Sequence, residues 1–377
     1  MDQLVKAYIS RSALEFNVRL LREKARVPLC AMVKADAYGH GVALVVKALS
    51  GMKIDFWGVA TLNEALDLRA LRVKNPIAVM RPFTHYAPES AMTEQVELMR
   101  RLKIRPTLAG ADILDFLGKI LKKNPAPPLR VHLKVDTGMG RNGCLPDETA
   151  GLLTRAAAIK GLEIEGIYSH FACATAPNLA CARGQLSVFK SVLAGIKRTG
   201  IAVPIRHMAN SGAIFSLPEA RFDMVRPGKA LYGYSAGNAK TSLRLRPVMR
   251  VGAPVLLTKW IRKGGTCGYG CTFTAKRPTR IGLLPLGYAD GYSRKLSNLG
   301  QVDFNGRPAP VIGRISMDLT IVDLTDLPQA VTGSTICVIS DRREDPNSIE
   351  AIAALRGTLP HEVGCNLGRR IQRILTD

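Results

Sequence analysis

The sequence predicts an α/β barrel of the TIM-like (β/α)8 kind joined to a second, mainly β C-terminal domain. Three observations predict it. Eight short apolar, β-branched runs recur in the first 230 residues, separated by stretches with helical spacing, the pattern of a parallel barrel. Polar and titratable residues follow these runs, on the face where barrel active sites form. After about Tyr234 the texture changes to glycine-rich segments of alternating polarity, as expected of short strands.

The runs are Leu29–Val33, Phe56–Ala60, Ile77–Met80, Ile104–Leu108, Val131–Val135, Ile164–Ser169, Ile205–Met208 and Phe222–Val225. Helical spacing marks Leu62–Leu71 and Gln185–Thr199 between them. The barrel is assigned to residues 11–234. The β-rich domain is assigned to residues 235–377, with residues 1–10 added as an N-terminal strand. Its strand candidates are Gly252–Trp260, Thr279–Leu286, Ala309–Ile312, Leu319–Asp323 and Thr335–Ile339, followed by a short helix over Ile349–Leu355.

Composition narrows the function classes. Of 377 residues, 47% are hydrophobic, enough for a sizeable core and too many for a disordered chain. No apolar stretch reaches the roughly 18–20 residues that span a bilayer, and Met1–Lys6 lacks a signal-peptide apolar region. The eight cysteines are scattered without a CxxC pair, so no zinc site or disulfide framework is expected and a reduced cytoplasm is. The net charge of +23 raises a nucleic-acid partner, but the basic residues are dispersed and not interleaved with aromatics. A basic solvated surface that helps to draw in anionic cofactors and substrates is the reading adopted, with no nucleic-acid or membrane partner.

The chemistry starts at Lys34, directly after the apolar run ending at Val33 and before a polar, glycine-rich segment, Ala35-Asp36-Ala37-Tyr38-Gly39-His40-Gly41, read as a loop. Burial at a strand end favours the neutral amine, the form that attacks a carbonyl. The loops after the seventh and eighth runs, Ala209-Asn210-Ser211-Gly212 and Arg226-Pro227-Gly228-Lys229, offer a hydroxyl and close backbone approach to an anion, where barrels often bind phosphate. A Schiff-base lysine with a phosphate site points to pyridoxal phosphate.

The chain resembles the alanine racemases. The resemblance rests on Val33-Lys34-Ala35-Asp36-Ala37-Tyr38-Gly39-His40-Gly41, Phe56–Thr61, Lys134-Val135-Asp136-Thr137-Gly138-Met139-Gly140-Arg141, Ser169–Ala172, Ala209-Asn210-Ser211, Val225-Arg226-Pro227-Gly228, Gly268-Tyr269-Gly270, Gly287–Gly291 and Gly313–Asp318. These ordered motifs cover nearly the whole chain. The resemblance implies a homodimer with shared active sites that interconverts L- and D-alanine by a two-base mechanism, supplying peptidoglycan synthesis. Lys34 would carry the cofactor as an aldimine and act as one base, and the partner subunit's Tyr269 as the other. Tyr38, Ser211 and the Gly228 and Lys229 amides would hold the phosphate, and Asn210 would also bind the cofactor. Arg141 would touch both cofactor and substrate carboxylate, while His170 and Arg226 would arrange the ring. Tyr288, Met317 and Asp318 would line the substrate entrance, and Lys134 matches a lysine carbamylated in some members. By its residues alone Tyr269 reads as a strand residue in a hairpin, and His170 equally well as a core histidine.

Two positions depart from the family pattern. Lys229 stands where an apolar residue is usual. The tail Cys365-Asn366-Leu367-Gly368-Arg369-Arg370 lacks a tyrosine that some members supply, Arg369 being nearest by position. Phosphate grip and strictness for alanine are therefore open. A serine or broad-specificity racemase, a decarboxylase relative and a non-catalytic pyridoxal-phosphate carrier remain as alternatives.

Overall fold

Seven parallel strands form the wall of the barrel in the computed structural model, which describes residues 4–123, 127–236 and 244–377. After β1 (Lys6–Ser10) they are β2 (Cys30–Met32), β3 (Phe56–Val59), β4 (Ile77–Pro82), β5 (Ile104–Leu108), β6 (Leu129–Lys134), β7 (Leu162–Tyr168) and β8 (Ile205–His207), hydrogen-bonded in sequence order. Helices cover their outer face, so β2, β3 and β4 read as nearly continuous apolar runs. Local chemistry starts the helices: the Ser10 hydroxyl accepts from Ala13 N at 3.1 Å to cap Arg11–Ala25, and Thr61 with Glu64 forms a capping box on Leu62–Ala70.

The eighth run, Phe222–Val225, is not a strand. Phe222 is left-handed (φ 48°), and Pro227 has no N–H and pairs only through its carbonyl, which accepts from Met32 N at 3.1 Å, so no regular strand forms. Val225 still donates to Pro28 O at 2.9 Å and accepts from Cys30 N at 2.8 Å, and Arg226 N reaches Ala209 O at 2.9 Å. These bridges close the barrel between β8 and β2.

Beyond residue 244 come β9 (Met249–Pro254), β10 (Leu257–Ile261), β11 (Thr266–Cys267), β12 (Phe273–Thr274), β13 (Thr279–Leu284), β14 (Gln301–Phe304), β15 (Arg307–Pro310), β16 (Thr320–Asp323), β17 (Thr335–Ile339) and β18 (Gln372–Thr376). One sheet has the order β15-β14-β17-β9-β1-β18, which lays the N-terminal strand parallel to the last one. A second sheet runs β10-β13-β16, and β11 and β12 pair as a hairpin. The single run expected over Gly252–Trp260 is two strands. The chain changes sheets at Val255 and Leu256, whose amides donate to Ser334 O and Leu283 O respectively. The expected helix is Ile349–Arg356, capped by Ser348 and ended by left-handed Gly357. A further helix, Pro360–Cys365, follows. Residues 237–243, next to the expected domain boundary, and residues 1–3 lie outside the described residues.

One cluster of buried apolar side chains runs through the barrel wall and the C-terminal sheets. A small separate cluster, Cys30, Met32, Phe56 and Met224, lies apart from it. Along β5 and β6 the buried polar residues Arg105, Thr107, His132 and Lys134 alternate with the apolar residues Ile104, Leu108, Val131 and Leu133 of the large cluster. The two-residue period therefore turns those polar groups to the barrel interior.

Candidate active site

Lys34 leaves the C-terminal end of β2 into a turn that differs from the expected loop. Ala35, Asp36, Ala37 and Tyr38 all have left-handed backbones, with φ of 53°, 50°, 56° and 56°. Each costs an L-residue about 1–2 kcal/mol, so the turn needs outside support. Glu64 supplies it: Oε1 accepts from Ala35 N at 2.7 Å, and Oε2 from Ala60 N at 2.7 Å and Thr61 N at 3.0 Å. Asp36 Oδ1 closes the turn on Val42 N at 2.7 Å. Gly39 follows because a Cβ there would sit 2.0 Å from Gly364 O.

The turn opens on a cavity of about 530 Å³ at the C-terminal end of the barrel. Lys34, Tyr38, Lys134, Arg141, His170, Asn210, Ser211, Arg226, Gly228 and Lys229 all line it, so the structure brings together every barrel residue singled out from the sequence. Five of them are cationic types (Lys34, Lys134, Arg141, Arg226, Lys229), and none of the described lining residues is a carboxylate. Such a site is electrostatically suited to an anion.

Each group is held from behind. Asp136 accepts from the amides of Gly138, Met139, Gly140 and Arg141 at 2.8–3.2 Å, which shapes the loop carrying Arg141. Ser211 Oγ accepts from Gly228 N at 2.9 Å and Ala230 N at 3.2 Å, leaving its own hydroxyl hydrogen to donate. Gly228 has no room for a side chain, since a Cβ would lie 2.3 Å from Tyr38 Oη. Asn210 Oδ1 caps the helix Ser211–Ser216 through Gly212 N and Ala213 N. Arg226 donates to Ser169 O at 2.7 Å and lies 3.3 Å from His170 Nδ1.

Burial governs the titrations. It lowers the Lys34 amine, and the Arg141 charge adds to the effect. Burial, then Arg141 and Arg226, bring Lys134 down to about 8, and its Nζ donates to Asn142 Oδ1. Lys229 is lowered by burial as well, and His170 falls well below the usual imidazole range through burial and the Arg226 charge.

One lining residue was not singled out from the sequence. His361, on Pro360–Cys365, reaches the cavity with its ring 6.0 Å from that of Tyr38, and its buried Nδ1 has no hydrogen-bond partner among the described residues. Arg369, expected nearest, is not among the lining residues. The Pro360 helix start was legible locally, but nothing local ties it to the barrel.

Tyr269, Tyr288, Met317 and Asp318 are elsewhere. Tyr269 is 69% exposed in the turn between β11 and β12, and Tyr288 and Met317 are also exposed. Gly268 and Gly270 pack against Arg314, while Tyr288 N and Ala289 N donate to Ser316 O and Met317 O, so these segments form one surface of the β-rich part. Asp318 pairs with Arg370 at 2.7 Å. Within one chain this surface does not line the Lys34 cavity.

Known proteins match this chain from end to end. The family model "Alanine racemase, N-terminal domain" matches residues 9–236, and "Alanine racemase, C-terminal domain" matches residues 248–375. Alanine racemase 2 of Caldanaerobacter subterraneus is 36% identical over 93% of this chain and 88% of its own length. The alanine racemase of Treponema denticola is 34% identical over 99% and 98%. Among solved structures, the alanine racemase of D-cycloserine-producing Streptomyces lavendulae superposes with a TM-score of 0.90 at 34% identity, covering 100% of this chain and 98% of that one. That of Bartonella henselae, with covalently bound pyridoxal phosphate, gives 0.87 at 33% identity over 99% of both chains. With both family domains matched in order over nearly all of its length, this chain belongs to the alanine racemase family.

Proposed function

We propose that this protein is a cytoplasmic, pyridoxal-phosphate-dependent alanine racemase that supplies D-alanine for peptidoglycan, acting as a homodimer. The observation that carries the reading is the Lys34 amine, kept toward its neutral form by burial, at the rim of a cationic cavity with no carboxylate among its described lining residues. The residues fit the cofactor: Lys34 would hold it covalently, and the Ser211 hydroxyl, Tyr38, Lys229 and the unpartnered Nδ1 of His361 would face its phosphate. When bound, pyridoxal phosphate supplies a conjugated ring that accepts electrons from the substrate Cα and makes the Cα–H acidic.

The chain's own groups do the rest. Lys34 moves the proton on one face of Cα, and the exposed Tyr269 of a second subunit moves it on the other. Arg226 would meet the pyridine nitrogen. A guanidinium donates a hydrogen bond there without giving up its proton, which weakens the electron sink and disfavours transamination. Arg141 would hold the substrate carboxylate, with Tyr288, Met317 and Asp318 of the partner surface at the entrance.

The decisive experiment follows D-alanine formation from L-alanine by the purified yellow protein, with L-serine and a basic amino acid as comparators. Equal turnover of serine replaces the alanine reading with a broad-specificity one, and cofactor uptake without any racemisation leaves a carrier.

Lys134 and the phosphate end each give a measurable expectation. Lys134 is half neutral near pH 8, so its amine is open to carbon dioxide. Native mass spectrometry in bicarbonate should show a carbamate that disappears in Lys134→Met, and the adduct should fade as pH falls from 8 to 6 and the amine protonates. The same lowered value means that the unfolded chain binds more protons, so Lys134 adds stability as pH rises between about 8 and its ordinary 10.5. Second, Lys229→Leu and His361→Phe should each weaken pyridoxal phosphate binding about tenfold, the loss of one charge-assisted contact. Absorbance titration with pyridoxal, which has no phosphate, should show no such change. Equal losses for both ligands would remove these side chains from the phosphate end.

A further inference from the structure

Inside the barrel, five buried side chains hydrogen-bond in single file from the cavity toward the opposite end. Arg226 Nη1 lies 2.7 Å from His207 Nδ1, His207 Nε2 lies 2.8 Å from His132 Nδ1, and His132 Nε2 lies 3.2 Å from Glu165 Oε2. Arg105 closes the file with two bonds to Glu165, at 2.9 and 3.0 Å, and Arg130 stands 3.6 Å from the same carboxylate.

The two ends fix the direction. A guanidinium has only donors, so His207 Nδ1 must accept, which puts the hydrogen of that ring on Nε2. His132 Nδ1 must then accept in turn, leaving its hydrogen on Nε2 for Glu165. Burial opposes ionisation of Glu165, but hydrogen bonds from His132 and Arg105 outweigh it and bring the carboxyl down to about 2. The far end is therefore acceptor only. A second proton on either imidazole would set N–H against N–H or against the guanidinium. The other neighbours do not offer an escape. The Tyr168 ring stacks 4.8 Å from His207, with its hydroxyl engaged by Thr107 at 2.8 Å, and the buried Cys30 thiol is pushed up to about 12. Burial lowers both imidazoles, with the Arg226 charge the next cause at His207.

The geometry points to His207, His132 and Glu165 as positioning residues for Arg226, a one-way file that anchors its guanidinium at the bottom of the barrel and presents it to the cavity in one orientation, as a donor. With Nη1 tied to His207 and Nη2 to Ser169, the guanidinium cannot turn without breaking two bonds. The assignment rests on the reading that Arg226 faces the cofactor ring. The file itself is a property of the protein alone.

The test uses the full chain labelled with ¹⁵N-histidine, with and without added pyridoxal phosphate. His207 and His132 should both read as neutral Nε2–H tautomers throughout about pH 5.5–8.5, the range in which an ordinary histidine changes charge. An Nδ1–H tautomer or an imidazolium at either position in that range overturns the file. Failure to take up pyridoxal phosphate would overturn the proposed function and leave this spectrum to be read on its own terms. Variants then test the positioning role. A glutamine at 132 can accept from His207 and donate to Glu165, whereas leucine can do neither. His132→Leu should lower kcat about tenfold with KM for alanine within about twofold, and His132→Gln should restore most of the rate. Equal losses in both variants, or none in a folded His132→Leu, would make these histidines packing residues only. If the leucine variant does not fold, the tautomers of the unaltered protein still decide.

Discussion

Lys34→Ala should abolish racemisation in both directions, by about 10⁴-fold or more, because it removes the covalent hold on the cofactor and a base at once. Tyr269→Phe should behave differently. It removes the proton-moving group from one face only, so in deuterated water the loss of the α-proton should slow by about 10²–10⁴-fold for one enantiomer and far less for the other. The measurement is exchange of each enantiomer followed separately by NMR. Equal slowing of both would sink the two-base assignment. The asymmetry rests on the proposed placement of the two groups on opposite faces of Cα; Lys34 lines the cavity, and the exposed Tyr269 does not line it within one chain.

The same separation predicts complementation. Lys34→Ala and Tyr269→Phe chains, each nearly inactive alone, should regain activity when mixed, unfolded and refolded together. In a two-fold dimer with shared sites, half of the randomly formed dimers are mixed. Each mixed dimer has one site carrying both lesions and one carrying neither, so roughly a quarter of the parent activity should return. Recovery near zero would place Tyr269 in the same chain's site, or outside any site. The outcome is large and independent of how well either variant binds cofactor alone.

How much of this was legible in the sequence depended on how local the determinant was. Seven barrel strands were readable because each carries short apolar, β-branched stretches against the covering helices, even where β5 and β6 turn polar groups inward. The eighth was not, since left-handed Phe222 and Pro227 cut it down to bridges that only neighbouring strands reveal. Ser211, Gly228 and Arg226 were readable as loop chemistry. The Lys34 turn was misread as a loop because none of Ala35–Tyr38 is glycine, and the Glu64 carboxylate that holds it comes from another element. His361 was missed for a similar reason: its helix is local, but its place at the cavity is tertiary. Tyr269 read as a hairpin residue, and it does stand between β11 and β12; its assigned chemistry came from family resemblance and not from the residues around it.

The turn after Lys34 also bears on how damage to this protein would show itself. Four left-handed residues carry roughly 4–8 kcal/mol of backbone strain, comparable with the whole net stability of a typical domain. That strain is held in check by two carboxylates, Glu64 and Asp36, both outside the hydrophobic core. A lesion at Asp36 would let the segment relax while sheets and the other helices stay intact, whereas one at Glu64 would also uncap Leu62–Ala70. By circular dichroism the Asp36 variant would still look native and yet have lost the bearing of the Lys34 amine, so a conformational census of this protein would overcount its working molecules.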